Sequence, residues 1–192
     1  MKRLLVALVL VVLATGCTDR EAGGSSAGSP TKTLAAAPTA IPSPVVMKPG
    51  QYTFRNANDA VGTMSIPGTP DPEVEKLRAL VGGEAPTYVT ATVDNQKGTE
   101  DVGMRALSIF TPDGQELKYE NANTYVDQLR PPGAQAEVYN VFIKLATKLK
   151  AQAKPGTVRD FVLVGPPVPE VFSGVKVHLN GMADPVDAVP AG

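Results

Sequence analysis

Two side chains in this sequence have no duplicate, Cys17 and His178, and they bound the chemistry open to it. A Ser-His-Asp or Cys-His arrangement would depend on His178 entirely. That histidine stands in GVKVHLNG, where alternation puts Val175, Val177 and Leu179 on one face and Lys176, His178 and Asn180 on the other. It is therefore expected on the solvent face of a regular strand. No serine lies in a GxSxG context, and neither a phosphate-cradling GxxxxGKS/T loop nor GxGxxG occurs. The expectation is a protein with no catalytic residues. A third place, DNQKGTED, gathers Asp94, Asn95, Glu100 and Asp101 between two strands. Clustered oxygen donors suit calcium, which takes six to eight of them. Lys97 sits in their midst, however, and the alternating Asp/Asn order of a calcium loop is missing, so a solvated turn is the better reading.

Cys17 closes a segment of its own. Lys2 and Arg3 precede an unbroken apolar run of eleven residues, Leu4 to Ala14, followed by Thr15 and Gly16. This is the layout of a secretory signal peptide, and the run is well short of the ~20 residues that span a bilayer. The ending ATGC resembles the lipobox of bacterial lipoproteins. The resemblance implies cleavage after residue 16 and a covalent diacylglyceryl and N-acyl lipid on Cys17. With that thiol acylated no cysteine is left for a disulfide, a thiol nucleophile or a thiolate metal site, and no other cofactor is expected.

Residues 17–46 are built from Gly, Ser, Ala, Thr and Pro without hydrophobic periodicity, and are expected to form a disordered linker. Prolines 38, 42 and 44 bias its later part toward extended conformations. Residues 47–184 then alternate hydrophobics with turn residues over a stretch of ordinary single-domain size, and 185–192 read as a flexible tail. With 18 Lys and Arg against 19 Asp and Glu, the chain lacks the basic footprint of a nucleic-acid binder. Aromatic residues are 5% with no Trp, too few for sugar-stacking platforms.

Eighteen Gly and eighteen Pro favour many short elements joined by turns. Period-two or β-branched runs predict strands in QYTFRNA, VGTMSIPG, PTYVTATVDN, residues 105–110, 115–119, 161–164 and GVKVHLNG. In PTYVTATVDN either face suits a core. TPDG and KPG supply turns. DPEVEKLRALVGG reads as a short helix with an Asp71 cap, Pro72 at its first position and Gly82 behind it. A second helix, 137–153, carries Val138, Val141, Phe142, Leu145 and Leu149 on one stripe. The predicted fold is mainly β: an immunoglobulin-like antiparallel β-sandwich of about seven strands with one or two short helices.

YVTATVDNQKG, LSIFTPDGQELKY, AKPGTVRDFVLVGPPVP and VKVHL together resemble the telokin-like, immunoglobulin-type extracellular domains of Gram-positive lipoproteins. The likeness covers Tyr88 to Leu179, rests on turn motifs and brings no catalytic residues. The function expected is a lipid-anchored extracellular interaction module at the cell membrane, without catalysis, which binds an envelope protein or cell-wall partner and no nucleic acid. Its candidate contact residues are Tyr125 and Leu129 in NANTYVDQLRPPGAQ, read as a loop, and Tyr139. The alternative is a small-ligand or calcium carrier at the cell surface.

Overall fold

A computed structural model describes residues 46–192 apart from 131, 132, 134 and 135; the leader, Cys17 and the linker as far as residue 45 lie outside the described residues. The domain is mainly β. Its strands are β1 (Gly50–Arg55), β2 (Val61–Ile66), β3 (Thr87–Asp94), β4 (Met104–Phe110), β5 (Glu116–Asn121), β6 (Val158–Gly165), β7 (Gly174–Leu179), β8 (Val186–Asp187) and β9 (Val189–Pro190). The helices are α1 (Pro72–Val81), α2 (Ala122–Leu129) and α3 (Ala136–Lys150).

All nine strands join one antiparallel sheet, in the order β8-β7-β4-β5-β6-β3-β2-β1-β9. Its two ends are sequence neighbours. Val186 and Asp187 pair with Val177 and Lys176, while Val189 and Pro190 pair with Thr53 and Tyr52. Between them the Ala188 N–H donates to the Val175 carbonyl at 2.9 Å, and Ala191 donates to Gln51 at 2.9 Å. One short segment thus bridges the first strand and β7, leaving a nearly closed, barrel-like sheet.

Two expectations are corrected here. The two separate sheets of a seven-stranded sandwich are not found, because the hydrogen-bonded order runs through every strand. The additional strands, β8 and β9, come from 185–192, expected to be a flexible tail; pairing on both sides and burial of Ala188 hold that segment in place.

Alternation sorts side chains into two cores. Tyr52, Phe54, Met64, Ile66, Val89, Val93, Leu107, Ile109, Leu163, Val175 and Val177 fill the interior of the sheet. Outside it, Tyr88 and Val164 lie under Val74 and Leu77 of α1, Ala122 and Val126 of α2, and Phe142, Leu145, Ala146 and Leu149 of α3. The β3 strand therefore buries both faces in its first half, which answers the ambiguity of its sequence. Each fully buried Val, Leu or Phe contributes about 1.5–3 kcal/mol, so this second core holds the helical layer to the sheet.

The ends of α1 are those its sequence announces. Asp71 Oδ1 accepts from the Glu73 and Val74 N–H groups at 2.9 and 3.0 Å, and Gly82 turns the chain at φ 78° while donating to the Arg78 carbonyl. Asp71→Ala is expected to lower unfolding free energy by about 1 kcal/mol, read as a small shift of the urea midpoint with an unchanged slope. The α3 helix stops at Lys150, short of the expected residue 153, because Ala153 leaves it to exchange two hydrogen bonds with Val102 at 2.8 and 2.9 Å. The α2 helix is a third helix against the one or two expected. Asn121 ends β5 with its Nδ2 on the Met104 carbonyl at 3.0 Å, and its Oδ1 caps α2 through the Asn123 N–H at 3.0 Å.

Candidate functional site: a cleft between two helices

The oxygen donors of DNQKGTED do not converge. Asp94 is exposed, and its Oδ1 accepts from the Gln96 N–H at 2.9 Å. The Glu100 carboxylate accepts from Asn58 Nδ2 at 3.0 Å, and Asp101 is exposed. Asn95 is fully buried, with Nδ2 donating to the Glu100 and Ala153 carbonyls, both at 2.8 Å. Its backbone N–H donates to Thr157 at 2.9 Å, and its carbonyl accepts from Gly98 and Gly156 at 3.2 and 3.0 Å. Asn95 is thus a peg joining the end of β3, the β3–β4 loop and the turn before β6. Its Oδ1, without a hydrogen bond, lies so close over Gly98 that a Cβ there would come within 1.8 Å. Among the described residues, no three His, Cys, Asp or Glu side chains form a metal-binding group.

His178 is half-buried on the outer face of β7. Burial, then the positive charge of Arg105, pushes its pKa below the usual histidine value. Its Nε2 lies 2.8 Å from Ser108 Oγ, which donates to Glu116 Oε1 at 2.5 Å. The hydroxyl therefore stands between imidazole and carboxylate, whereas a triad needs the imidazole between the other two. Ser108 is also completely covered in mid-strand, out of a substrate's reach.

Tyr125 and Leu129 belong to α2 and are half-buried against the second core. The Tyr125 hydroxyl donates to the Glu84 carbonyl, and Leu129 packs closely on Gly83, where an added Cβ would meet its Cδ2 at 2.3 Å. Both side chains tie α2 to the segment behind α1. Tyr139, 44% exposed, stands apart from them on α3. The loop reading of NANTYVDQL missed α2, although the Asn121 cap and the spacing of Ala122, Val126 and Leu129 carried a helical signal.

A concavity of about 340 Å³ opens between α1 and α3. Leu77 and Leu145 form its floor from the second core, and Leu80 and Val141 its walls, 64% and 50% exposed. Lys76, Lys144 and Lys148 stand around the mouth with a single carboxylate, Glu73. Lys148 Nζ meets Glu73 Oε2 at 2.5 Å, and that bond raises the lysine pKa above its ordinary value. The arrangement follows from α3, whose core stripe of Phe142, Leu145 and Leu149 is flanked by a second stripe of Val141, Lys144 and Lys148. A hollow of about 360 Å³ on the face of β1, β2, β3 and β6 has walls of mixed polarity instead, where Thr92 and Asp160 bond each other at 2.6 Å.

Fold and cleft together define a barrel-like antiparallel β domain with a helical layer on one flank and an apolar, lysine-rimmed cleft in that layer. No family model, curated protein or solved structure matches the chain. No helix among the described residues is long and apolar enough to cross a membrane.

Proposed function

We propose that this protein is a lipid-anchored interaction module on the extracytoplasmic side of a bacterial cell membrane, binding an envelope partner through its helical layer without catalysis. The observation that carries this reading is the α1–α3 cleft, where Leu80 and Val141 remain exposed beside a completed core. Solvated apolar side chains at the mouth of a concavity are what a binding surface offers. The lipobox-like ATGC and the linker after it supply the anchor and the reach. The immunoglobulin-like resemblance enters as a likeness of turns: Gly114 and Gly156, at φ 88° and 79°, serve the TPDG and KPG turns it rests on.

The test is cross-linking on intact cells, comparing the parent chain with Leu80→Ser/Val141→Ser and with Cys17→Ser. A reproducible neighbour is expected with the parent and lost from both variants. An unchanged neighbour in the Leu80/Val141 variant would remove the cleft as the contact. The cleft volume favours a second reading, a small-ligand carrier at the cell surface, since ligand pockets begin at ~300 Å³. Recovery of the protein with an extractable small molecule and no neighbour would favour that carrier.

A further inference from the structure

We propose that the helical layer docks on an anionic lipid surface, with the apolar side chains of α1, α3 and the start of β6 entering the headgroup region and the surrounding lysines meeting lipid phosphates. This goes beyond the interaction-module reading, since it gives the same face to lipid, and rests on it only for the tether that keeps the domain near a bilayer.

Charge is the first support. From Val138 to Arg159 the chain carries Lys144, Lys148, Lys150, Lys154 and Arg159 and no Asp or Glu, although its overall net charge is −1. This run covers α3 after its first two residues, the second of which is Glu137, then the turn after it and the start of β6. Two of its cations are shared, Lys148 with Glu73 and Lys150 with Asp127 at 3.3 Å, and Asp101 lines a separate hollow together with Lys154 and Arg159. Lys144 and Lys154, and Lys76 on α1, form no ion pair among the described residues. A basic amphipathic helix of this kind suits a membrane surface.

The distribution of exposed apolar groups is the second. Of eight exposed large hydrophobics among the described residues, five belong to these elements: Leu80, Tyr139, Val141, Ile143 and Val158. Val141 lines the cleft, whereas Tyr139, two residues away and thus about 200° around the helix, lies on the other flank of α3. Apolar groups on both flanks of a ridge, with Lys144 between Val141 and Ile143 in angle around the helix, do not form the single row that fills a groove in a helical partner. They suit a deformable layer, into which apolar tips sink while lysine stems bend to the phosphates.

Flotation of residues 18–192, which lack the leader and Cys17 and so carry no lipid, with phosphatidylglycerol/phosphatidylcholine vesicles tests the proposal. Binding is expected to the mixed vesicles, to fall with salt and to be missing on phosphatidylcholine alone. Lys76→Gln/Lys144→Gln, both at solvated positions, should lower partitioning about 30-fold, since each lysine near such a surface contributes about a factor of five. Far-ultraviolet circular dichroism confirms that the variant is folded. Equal recovery on both lipids, recovery on neither, or undiminished binding of the glutamine variant would overturn it. If vesicle binding fails while Leu80→Ser/Val141→Ser still loses its neighbour on cells, the cleft takes a protein and only the lipid proposal falls. If vesicles bind while the cellular neighbour is indifferent to Leu80 and Val141, lipid docking stands and protein capture at the cleft falls.

Discussion

Phe172→Ala is expected to remove about 3–5 kcal/mol of unfolding free energy. The ring is completely buried and meets Tyr52 with centroids 5.8 Å apart and planes tilted by 40°. On the backbone, Phe172 and Met47 exchange two hydrogen bonds at 2.7 and 3.0 Å, so this phenylalanine holds the chain's entry into the domain as well as filling its core. Truncation leaves a cavity between two paired segments that cannot both collapse into it. Against a typical total of 5–15 kcal/mol the loss is large, and urea denaturation will register it. Val171→Ala, one residue away but 41% exposed, is the control and should change stability by less than about 0.5 kcal/mol. A Phe172 effect as small as the control's would mean that the ring does not sit in the core.

Asn95→Asp is expected to cost about 3 kcal/mol through hydrogen bonding, with almost no change of volume. The Asn95 amide donates both protons to the Glu100 and Ala153 carbonyls in a fully buried position. An ionised carboxylate has no proton to give, so the Glu100 carbonyl loses its partner, the Ala153 carbonyl keeps only the Val102 N–H, and both face an acceptor; a buried group left unpaired costs about 1–3 kcal/mol and the repulsion adds to it. Asn95→Ala should cost about 1–3 kcal/mol, since it leaves the Glu100 carbonyl unpaired while the Ala153 carbonyl keeps the Val102 N–H. The aspartate variant also separates the peg from the calcium reading of this loop. A structural peg gives a lower melting temperature with or without calcium, whereas a cation site would give the variant a higher melting temperature in calcium than the parent has.

What the sequence made legible was local. The alternation of Val175, Val177 and Leu179 marked β7 and its inward face, and Asp71, Pro72 and Gly82 marked the ends of α1. Closure was not legible, because a strand with one buried face alternates in the same way in a sandwich or a barrel. The closing segment, VDAVP, is too short and too interrupted to announce a strand and takes its structure from pairing with both β7 and the distant β1. Among the candidate site residues, Tyr125 and Leu129 were chosen as apolar members of a polar stretch, but α2 turns them toward the second core. The cleft is not legible in the sequence because Val141 shares the spacing of the core stripe. Only the meeting of α3 with α1 leaves it at the edge, opposite Leu80.

The segment from Val186 to Pro190 also governs the order in which the domain is completed. Tyr52 and Pro190 lie near opposite ends of the domain's sequence, so a nascent chain that stops short of Val189 cannot make the β1–β9 pairs, whatever else has formed. Long-range closure of this kind is slow compared with formation of local helices. Until it happens, β1 and β7 each present an open edge to other chains. The interval between synthesis of β7 and arrival of β9 is therefore the period in which both edges lie fully open, and the closing segment then covers the middle of each together.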